Sequence, residues 1–565
     1  MTPPPQETVS SPTRELHRGS FDGYVHAEGT GLADGAGRPL QLRGVGLGNW
    51  LLPEGYMWRF PNTGPQSPRQ IESLLRSLVG RKRAAEFWQR FRGTFIDEQD
   101  LAQISAEGFN HVRLPINWRV IMTGDGRPID EGLAHIDRLV KWCRAHRLWA
   151  VLDLHGAPGG QTGTNIDDSP NGKPELFTDS TCRSLTIRLW QLLALRYRDE
   201  TAVAAYDLLN EPLPNDYQHA YAADLAVLYQ DLTAAIREID PHHLISYEGA
   251  HWATNWDIFT DVWDQNSLLQ FHKYWSPPDR PSIAPYLDAR DRLGLPIYMG
   301  EGGENNLAWV QTAFQLYDDC GISWNFWPWK KLDTITSPVS INAPAGWQRL
   351  ADYATGQAPL PRDEAWQILT GLLDALPTRR CSYRAEVINA ILRRPPLDIP
   401  ATGFAFRGPG ITYQTTGATP RTDFRGDDRV TIRHQTNGTA AAGKIDFHHD
   451  SGTPRHPGDE LLLHLALGDW ITYEVNTLDP ARLEITVTVV TDHHPDRRDP
   501  ALAIAVDGNA ILIMPTGPSS SDDDYETIHT TTPLAVPAGR HDIRLTAHAT
   551  EILISSIRVT PSTAS

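Results

Sequence analysis

Glu211 lies in Asn210-Glu211-Pro212 at the end of one short apolar run, and Glu301 closes another, Pro296–Glu301. Two carboxylates suit the cleavage of a glycosidic bond. One protonates the leaving oxygen while the other meets the oxocarbenium-like centre. When the pair stands about 5–5.5 Å apart, the second becomes a nucleophile and the anomeric configuration is retained. Further polar or aromatic residues close comparable runs: Arg113, His155, His272 with Tyr274, and Trp327. Read together, Glu211 is the acid/base beside Asn210, which can hydrogen-bond a sugar 2-hydroxyl. Glu301 is the nucleophile, kept ionised by the charge of Arg113 and a hydrogen bond from Tyr274. His272 and His155 complete a polar floor, and Trp327 stacks under the sugar ring. Each also has a packing explanation when taken singly: an ion-pair partner for Arg113, satisfied core histidines, a core tryptophan. Unrelated packing roles would not all fall at the same end of successive strands.

Such a set needs strands that end at one face. The runs Leu42–Val45, His111–Ile116, Trp149–Leu154, Ala204–Asn210, His243–Glu248, Leu268–Tyr274, Pro296–Glu301 and Ile322–Trp327 alternate with segments of three- and four-residue apolar spacing. Helices are predicted over Asp97–Glu107, Ile129–His146, Thr181–Tyr197 and Tyr217–Ile239. This alternation predicts an α/β fold, a closed (β/α)₈ (TIM) barrel with its chemistry on the loops after the strands. Phe21–Leu42 reads as a hairpin over the barrel floor, with Asp34-Gly35 at its turn. Two more helical patterns, Arg362–Ala375 and Tyr383–Arg393, precede a proline-rich boundary at Pro395-Pro396. Beyond it, alternating runs such as Trp470–Val475 and Leu483–Val490, broken by Gly, Pro, Asp and Asn, predict an all-β sandwich of jelly-roll type. The expected organisation is a disordered segment at 1–17, a barrel domain at 18–396 and a sandwich domain at 397–565.

The 565 residues are too many for one ordinary core, and the formal charge of -18 argues against a nucleic-acid surface. No uninterrupted apolar stretch is long enough for a membrane span. Residues 1–17 lack the basic and apolar regions of a secretory signal, so export would require a leader ahead of this sequence and its absence a cytoplasmic location. Cys143, Cys182, Cys320 and Cys381 form no CxxC pair, and the pairs His242-His243, His448-His449 and His493-His494 lack a third ligand at metal spacing. No metal or cofactor is expected, and a monomer is.

Arg113, His155, Asn210-Glu211, His272-x-Tyr274, Glu301 and Trp327, in this order, resemble glycoside hydrolase family 5 of clan A, over roughly Gly23 to Trp329. The resemblance implies a (β/α)₈ barrel and a retaining mechanism. Arg43-Gly44-Val45-Gly46-Leu47-Gly48-Asn49-Trp50, continuing to Glu54, and Asp153-Leu154-His155-Gly156-Ala157-Pro158-Gly159 are most similar to the exo-β-1,3-glucanase, β-glucosidase and rutinosidase-like branch. That likeness gives Glu54 the role of gripping hydroxyls of the terminal sugar. Two departures fall near that end of the pocket. Pro53 precedes Glu54, where the branch has proline after it, and residues 160–169 replace an Asn-bearing loop. Asp167 and Asp168 in that loop read as contacts to sugar hydroxyls or to an arginine, or equally as part of a solvated loop. Trp50, Tyr56, Trp58, Trp252, Trp256, Trp275 and Trp329 surround the proposed cleft, with Trp252 and Trp256 the favoured subsite platforms after Trp327.

The C-terminal region resembles family 6-like carbohydrate-binding modules through Arg425-Gly426-Asp427-Asp428, Leu467-Gly468-Asp469-Trp470-Ile471-Thr472-Tyr473, Val506-Asp507-Gly508 and Pro537-Ala538-Gly539-Arg540-His541. These describe a scaffold. Where ligand-binding members carry an aromatic and an asparagine, this chain has Tyr525 and Thr550-Glu551-Ile552.

The expected activity is that of a retaining, exo-acting β-glycosidase releasing glucose or a disaccharide from β-D-glucosides. The alternatives are an endo-β-1,3/1,4-glucanase with an open cleft, a 6-O-rhamnosyl-β-glucosidase acting on flavonoid glycosides, and a non-catalytic carbohydrate-binding protein on a degenerate barrel. Glu211 must carry its proton while Glu301 does not, so the rate should peak at mildly acidic pH.

Overall fold

Eight short runs of β-branched and apolar residues become parallel strands because each is buried on both faces, by the barrel interior and by the surrounding helices. They are β1 (Arg43–Gly46), β2 (His111–Asn117), β3 (Trp149–Gly156), β4 (Val203–Asp207), β5 (Leu244–Glu248), β6 (Ser267–His272), β7 (Ile297–Gly303) and β8 (Ser323–Trp327). They close in sequence order, β8 pairing with β1 through Trp324–Arg43, Asn325–Gly44 and Phe326–Val45. Almost every residue in them is buried. This architecture comes from a computed structural model that describes residues 21–416, 424–434, 461–490, 501–508, 510–515, 525–529, 533–548 and 551–562. The segment expected to be disordered, 1–17, lies outside them, as do His448-His449 and His493-His494. Among the described residues no helix is long and apolar enough to cross a membrane.

The expected helices form with small shifts at their ends, as Glu98–Ala106, Asp130–Ala145 and Ser180–Tyr197. Two results differ from expectation. Tyr217–Ile239 is not one helix: a four-residue turn at Tyr217–Ala220 is separated from Ala222–Arg237 by Tyr221, whose ψ of 16° leaves helical geometry. A helical stretch at Pro68–Thr94, two helices joined by a kink at Gly80 (φ 81°), is not expected from the sequence, because that glycine and the cationic Arg81-Lys82-Arg83 break its apolar periodicity. Its start is well marked in hindsight: Ser67 and Gln70 form a reciprocal capping box ahead of Pro68. The N-terminal hairpin is a three-stranded sheet, His26–Glu28, Gly31–Ala33 and Pro39–Leu40. Val25, Leu32, Leu40 and Leu42 pack on Trp149, Ala204, Leu244, Leu268 and Tyr298, sealing the end of the barrel where the strands begin. The opposite end stays open for a site.

The chain divides into two units that change over between Ile391 and Leu392, just ahead of Pro395-Pro396. The second unit is a sandwich of two antiparallel sheets. One is built on Trp470–Thr477 and Gly539–Ala547, the other on Ala481–Val490 and Ile552–Pro561. Ile471, Tyr473 and Val475 point into its core while Trp470 stays half-buried beneath the Arg544 guanidinium, 3.8 Å from the ring centroid. The Arg425 motif is scaffold. Its side chain lies between the rings of Phe404 and Phe406 and donates to the backbone oxygens of Thr402, Phe404 and Ala405 and to Asp428.

Candidate active site

The strand ends converge on a buried cation. Arg113 of β2 is fully buried and donates Nε to Asp207 of β4 (2.8 Å), with Nη2 reaching Asn210 (2.9 Å), Glu248 of β5 (3.0 Å) and Asp153 of β3 (3.1 Å). Its remaining arm holds Glu301. A guanidinium out of water demands this many acceptors, and the surrounding acids hold it firmly protonated against the pull of burial. Gln270 of β6 adds donors to Asp207 and Glu248 and accepts from Ser246. Burial pushes Asp153 up to about 7 and Glu248 up to about 8, partly offset by Arg113 and His272.

Above this layer stand the two glutamates. Glu301 accepts from Arg113 on one oxygen and from Tyr274 (2.8 Å) on the other. Glu211, with a left-handed φ of 44°, has its backbone N–H fixed by Glu248 (2.6 Å) and its Oε1 2.8 Å from His272 Nδ1. One ligand-type atom from each of Glu211, His272 and Glu301 lies within 4.8 Å of the other two. Among the described residues this is the set of His, Cys, Asp and Glu close enough together to bracket a metal ion. Its members are already engaged with one another, with Arg113 and with Tyr274.

The resting proton differs from expectation. Burial pushes Glu211 upward, but the hydrogen bond and charge of His272 outweigh it, and the carboxyl is lowered overall. Burial would lower His272, yet Glu248, Glu301 and Glu211 reverse this and raise it well above the usual imidazole range. The proton therefore rests on the histidine side of the Glu211–His272 hydrogen bond, and the two titrate as a pair.

These shifts make stability depend on pH. Asp153, Glu248 and His272 all bind protons more tightly in the folded chain, so their contribution is full below their unfolded values and is lost as pH rises through about 7 to 8 for the two acids. His111 and His155 are pushed down by burial to about 3 and about 4, so unfolding gains protons below about pH 6.5. The melting temperature should peak at weakly acidic pH and fall steadily from pH 6 to pH 9. A calorimetric series flat or rising over that interval would refute this balance.

The walls enclose a cavity of about 760 Å³ lined by Glu54, Tyr56, His155, Glu211, Trp252, His272, Tyr274, Glu301 and Trp327. Of the expected residues, Arg113 and Asn210 lie beneath it. The Asn210 side chain is committed to Arg113 and faces His155 Nε2 at 3.3 Å, so it braces the floor. Trp256 requires correction as a subsite platform. It is buried against Phe259, Phe271 and Tyr286, and its indole N–H is shared between the Ala253 and Gln270 carbonyl oxygens. It supports the loop that carries Trp252. Trp327 stacks parallel to His155 and donates to Tyr56 (3.0 Å). Its bed requires glycine, since a Cβ on Gly46 would come within 2.4 Å of the indole and one on Gly48 within 2.7 Å. Tyr56 in turn donates to Glu304, which is paired with Lys331.

Glu54 is buried beside these groups and raised well above the usual carboxylate range, first by burial and then by Glu301, Glu304 and Glu211. Loop 160–169 is internally braced. Gln161 bridges the His155 and Asn210 carbonyl oxygens, Asp167 accepts from Ser169 and the Thr162 backbone, and Asp168 binds Arg119 and Arg69. Of the readings offered for the aspartates, the arginine partner applies to Asp168. The sequence reading missed Asp153, Asp207, Glu248 and Gln270 as functional support, along with Glu304 and Lys331. The first four could have been suspected, since charged or amide residues in fully buried strands must serve a buried counter-charge.

Residues 79–333 match the family model described as cellulase, glycosyl hydrolase family 5. A β-xylosidase of Phanerodontia chrysosporium is 28% identical over 350 residues, 55% of this chain and 71% of its own length. A probable glucan 1,3-β-glucosidase A of Emericella nidulans is 32% identical over 278 residues, 46% of this chain and 66% of its own length. A crystal structure of an endogalactoceramidase aligns over 94% of this chain and 100% of its own, at 16% identity and a TM-score of 0.47.

Proposed function

Residues 79–333 make the barrel a glycoside hydrolase family 5 domain, and on that footing we propose that it is a retaining, exo-acting β-glycosidase of β-D-glucosides. The observation that carries retention is the approach of Glu211 and Glu301 to within 4.8 Å at their nearest oxygens. That approach supports direct attack by Glu301, as in retaining pairs whose carboxyl groups lie about 5–5.5 Å apart, over the wider spacing of about 6.5–9.5 Å that an inverting pair uses to admit water. Glu301 attacks the anomeric carbon, its charge spread between Arg113 and Tyr274 until the bond forms. The proton for the leaving oxygen passes from His272 through Glu211 as that oxygen becomes basic. Glu211 then takes a proton from the water that hydrolyses the glycosyl ester.

Exo action is supported by Glu54, Tyr56 and Ile166 on one side of the cavity and by the braced 160–169 loop that carries Ile166. The names of the relatives, a β-xylosidase and glucan 1,3-β-glucosidases, fit release of one β-linked pentose or hexose. The reading is tested on aryl β-glucoside, β-xyloside and rutinoside, laminarin and carboxymethylcellulose. Monosaccharide alone from the first product onward is expected. Early oligosaccharides with a rapid drop in viscosity would establish endo action instead.

A pH consequence follows from the proton's resting place. The alkaline limb of kcat/KM should reflect the His272–Glu211 pair and extend beyond the range of a lone carboxylic acid. His272→Ala should move that limb toward acid by about one unit or more, besides lowering the rate. An unmoved limb would assign the proton to another group.

A further inference from the structure

We propose that the turn His251-Trp252-Ala253 and the indole of Trp275 form the leaving-group subsite, which selects a planar aromatic aglycone bearing a hydrogen-bond acceptor. The assignment rests on the retaining reading above, because it needs a leaving group delivered toward Glu211. Glu211 follows β4, the loop after β5 is its neighbour around the barrel, and the loop after β6 comes next, between it and Glu301 of β7. Those loops contribute His251, Trp252, Thr254, Trp275 and Ser276 to the cavity. Glu54, Tyr56, Glu304, Trp327 and Lys331 come from the end of β8 and the segments after β1, β7 and β8, on the side of the nucleophile.

Three consecutive left-handed residues mark the turn, with φ of 52°, 59° and 63° at His251, Trp252 and Ala253. L-residues adopt this region against steric cost, and such runs persist only where surrounding contacts fix them. Here Gly249 bridges Ala253 and Ala250 bridges Asn255. The His251 N–H donates to Leu213 O (3.0 Å), and Trp256 clamps Ala253 O from below.

The result is a rigid mount for two side chains. Trp252 is half-exposed in the cavity and stacks on no ring among the described residues, so a face is open to a ligand. Trp275, 51% exposed, supplies a second indole. The Asn215 N–H donates to His251 Nδ1 (3.1 Å), which places the proton of the neutral ring on Nε2 as a donor. Thr254 Oγ1 is already spent on His251 O (2.6 Å). Two indoles and one ring N–H match a flat aromatic group with an acceptor better than a sugar, whose several hydroxyls would each want a partner.

The test compares 4-nitrophenyl β-glucoside with β-linked glucose disaccharides for wild type, Trp252→Ala, His251→Ala and His251→Gln. Hydrolysis of the glycosyl-enzyme is followed separately with the 2,4-dinitrophenyl glycoside. Trp252→Ala should lower kcat/KM on the aryl glucoside about tenfold or more. Disaccharides should lose less, and His251→Gln should recover part of the loss in His251→Ala. Hydrolysis of the glycosyl-enzyme should stay within about twofold of wild type, since the leaving group has departed by then. Equal loss in both steps would mean the turn merely props Glu211 and would overturn the subsite. Equal loss on disaccharides would overturn aromatic selection. A wild type that releases the inverted anomer, or turns over no β-glycoside, removes the reaction itself and the subsite with it.

Discussion

Glu301→Ala is expected to lower kcat/KM on aryl β-glucosides by on the order of 10⁵-fold while leaving the barrel folded. The loss is large because it removes the one carboxylate that Arg113 and Tyr274 together hold at the cavity wall. Asp153, Asp207 and Glu248 are bound to Arg113 in the layer below, outside the cavity wall. The fold should survive, because Arg113 keeps those three acids when Glu301 is removed. Azide should enter the vacated space, attack the anomeric carbon directly and yield the α-glycosyl azide. Near-normal turnover in this variant would remove Glu301 from the chemistry, and a β-azide product would place the nucleophile elsewhere.

Glu211→Ala should behave differently, and the difference identifies its role. Substrates with poor leaving groups, such as disaccharides, should lose about 10³–10⁴-fold, because bond cleavage then lacks proton assistance. A dinitrophenyl glycoside needs no such help. Its first step should remain fast while hydrolysis of the glycosyl-enzyme becomes limiting, giving a burst of dinitrophenol. Azide should restore the second step and give the β-glycosyl azide. His272 cannot compensate, since its Nδ1 is aimed at the Glu211 carboxyl. A uniform loss across leaving groups, with no burst, would contradict the acid/base assignment.

The barrel was readable because its strands are short buried apolar runs and its chemistry recurs at their ends. Arg113, His155, Glu211, His272, Tyr274, Glu301 and Trp327 all came from that single regularity. What escaped was whatever the regularity does not encode. Asp207, Glu248 and Gln270 lie within strands and looked like strand residues, yet the two acids accept from Arg113 and Gln270 donates to both of them. Trp256 looked like a platform because its loop faces the cavity, but its indole N–H is spent on backbone oxygens below. The protonation of Glu211 could not be read from residue type, since it depends on the 2.8 Å contact with His272 and on two other acids around that ring, Glu248 and Glu301. The Pro68–Thr94 helix was hidden by a glycine and three consecutive cations, where tertiary packing overrides the sequence pattern.

The central claim is that Glu301 forms a glycosyl ester which Glu211 helps to break. Proton nuclear magnetic resonance of an aryl β-glucoside digest, recorded before mutarotation proceeds, tests it most directly. The account predicts that β-glucose appears first and the α-anomer only later, as equilibration sets in; α-glucose as the first product would contradict it.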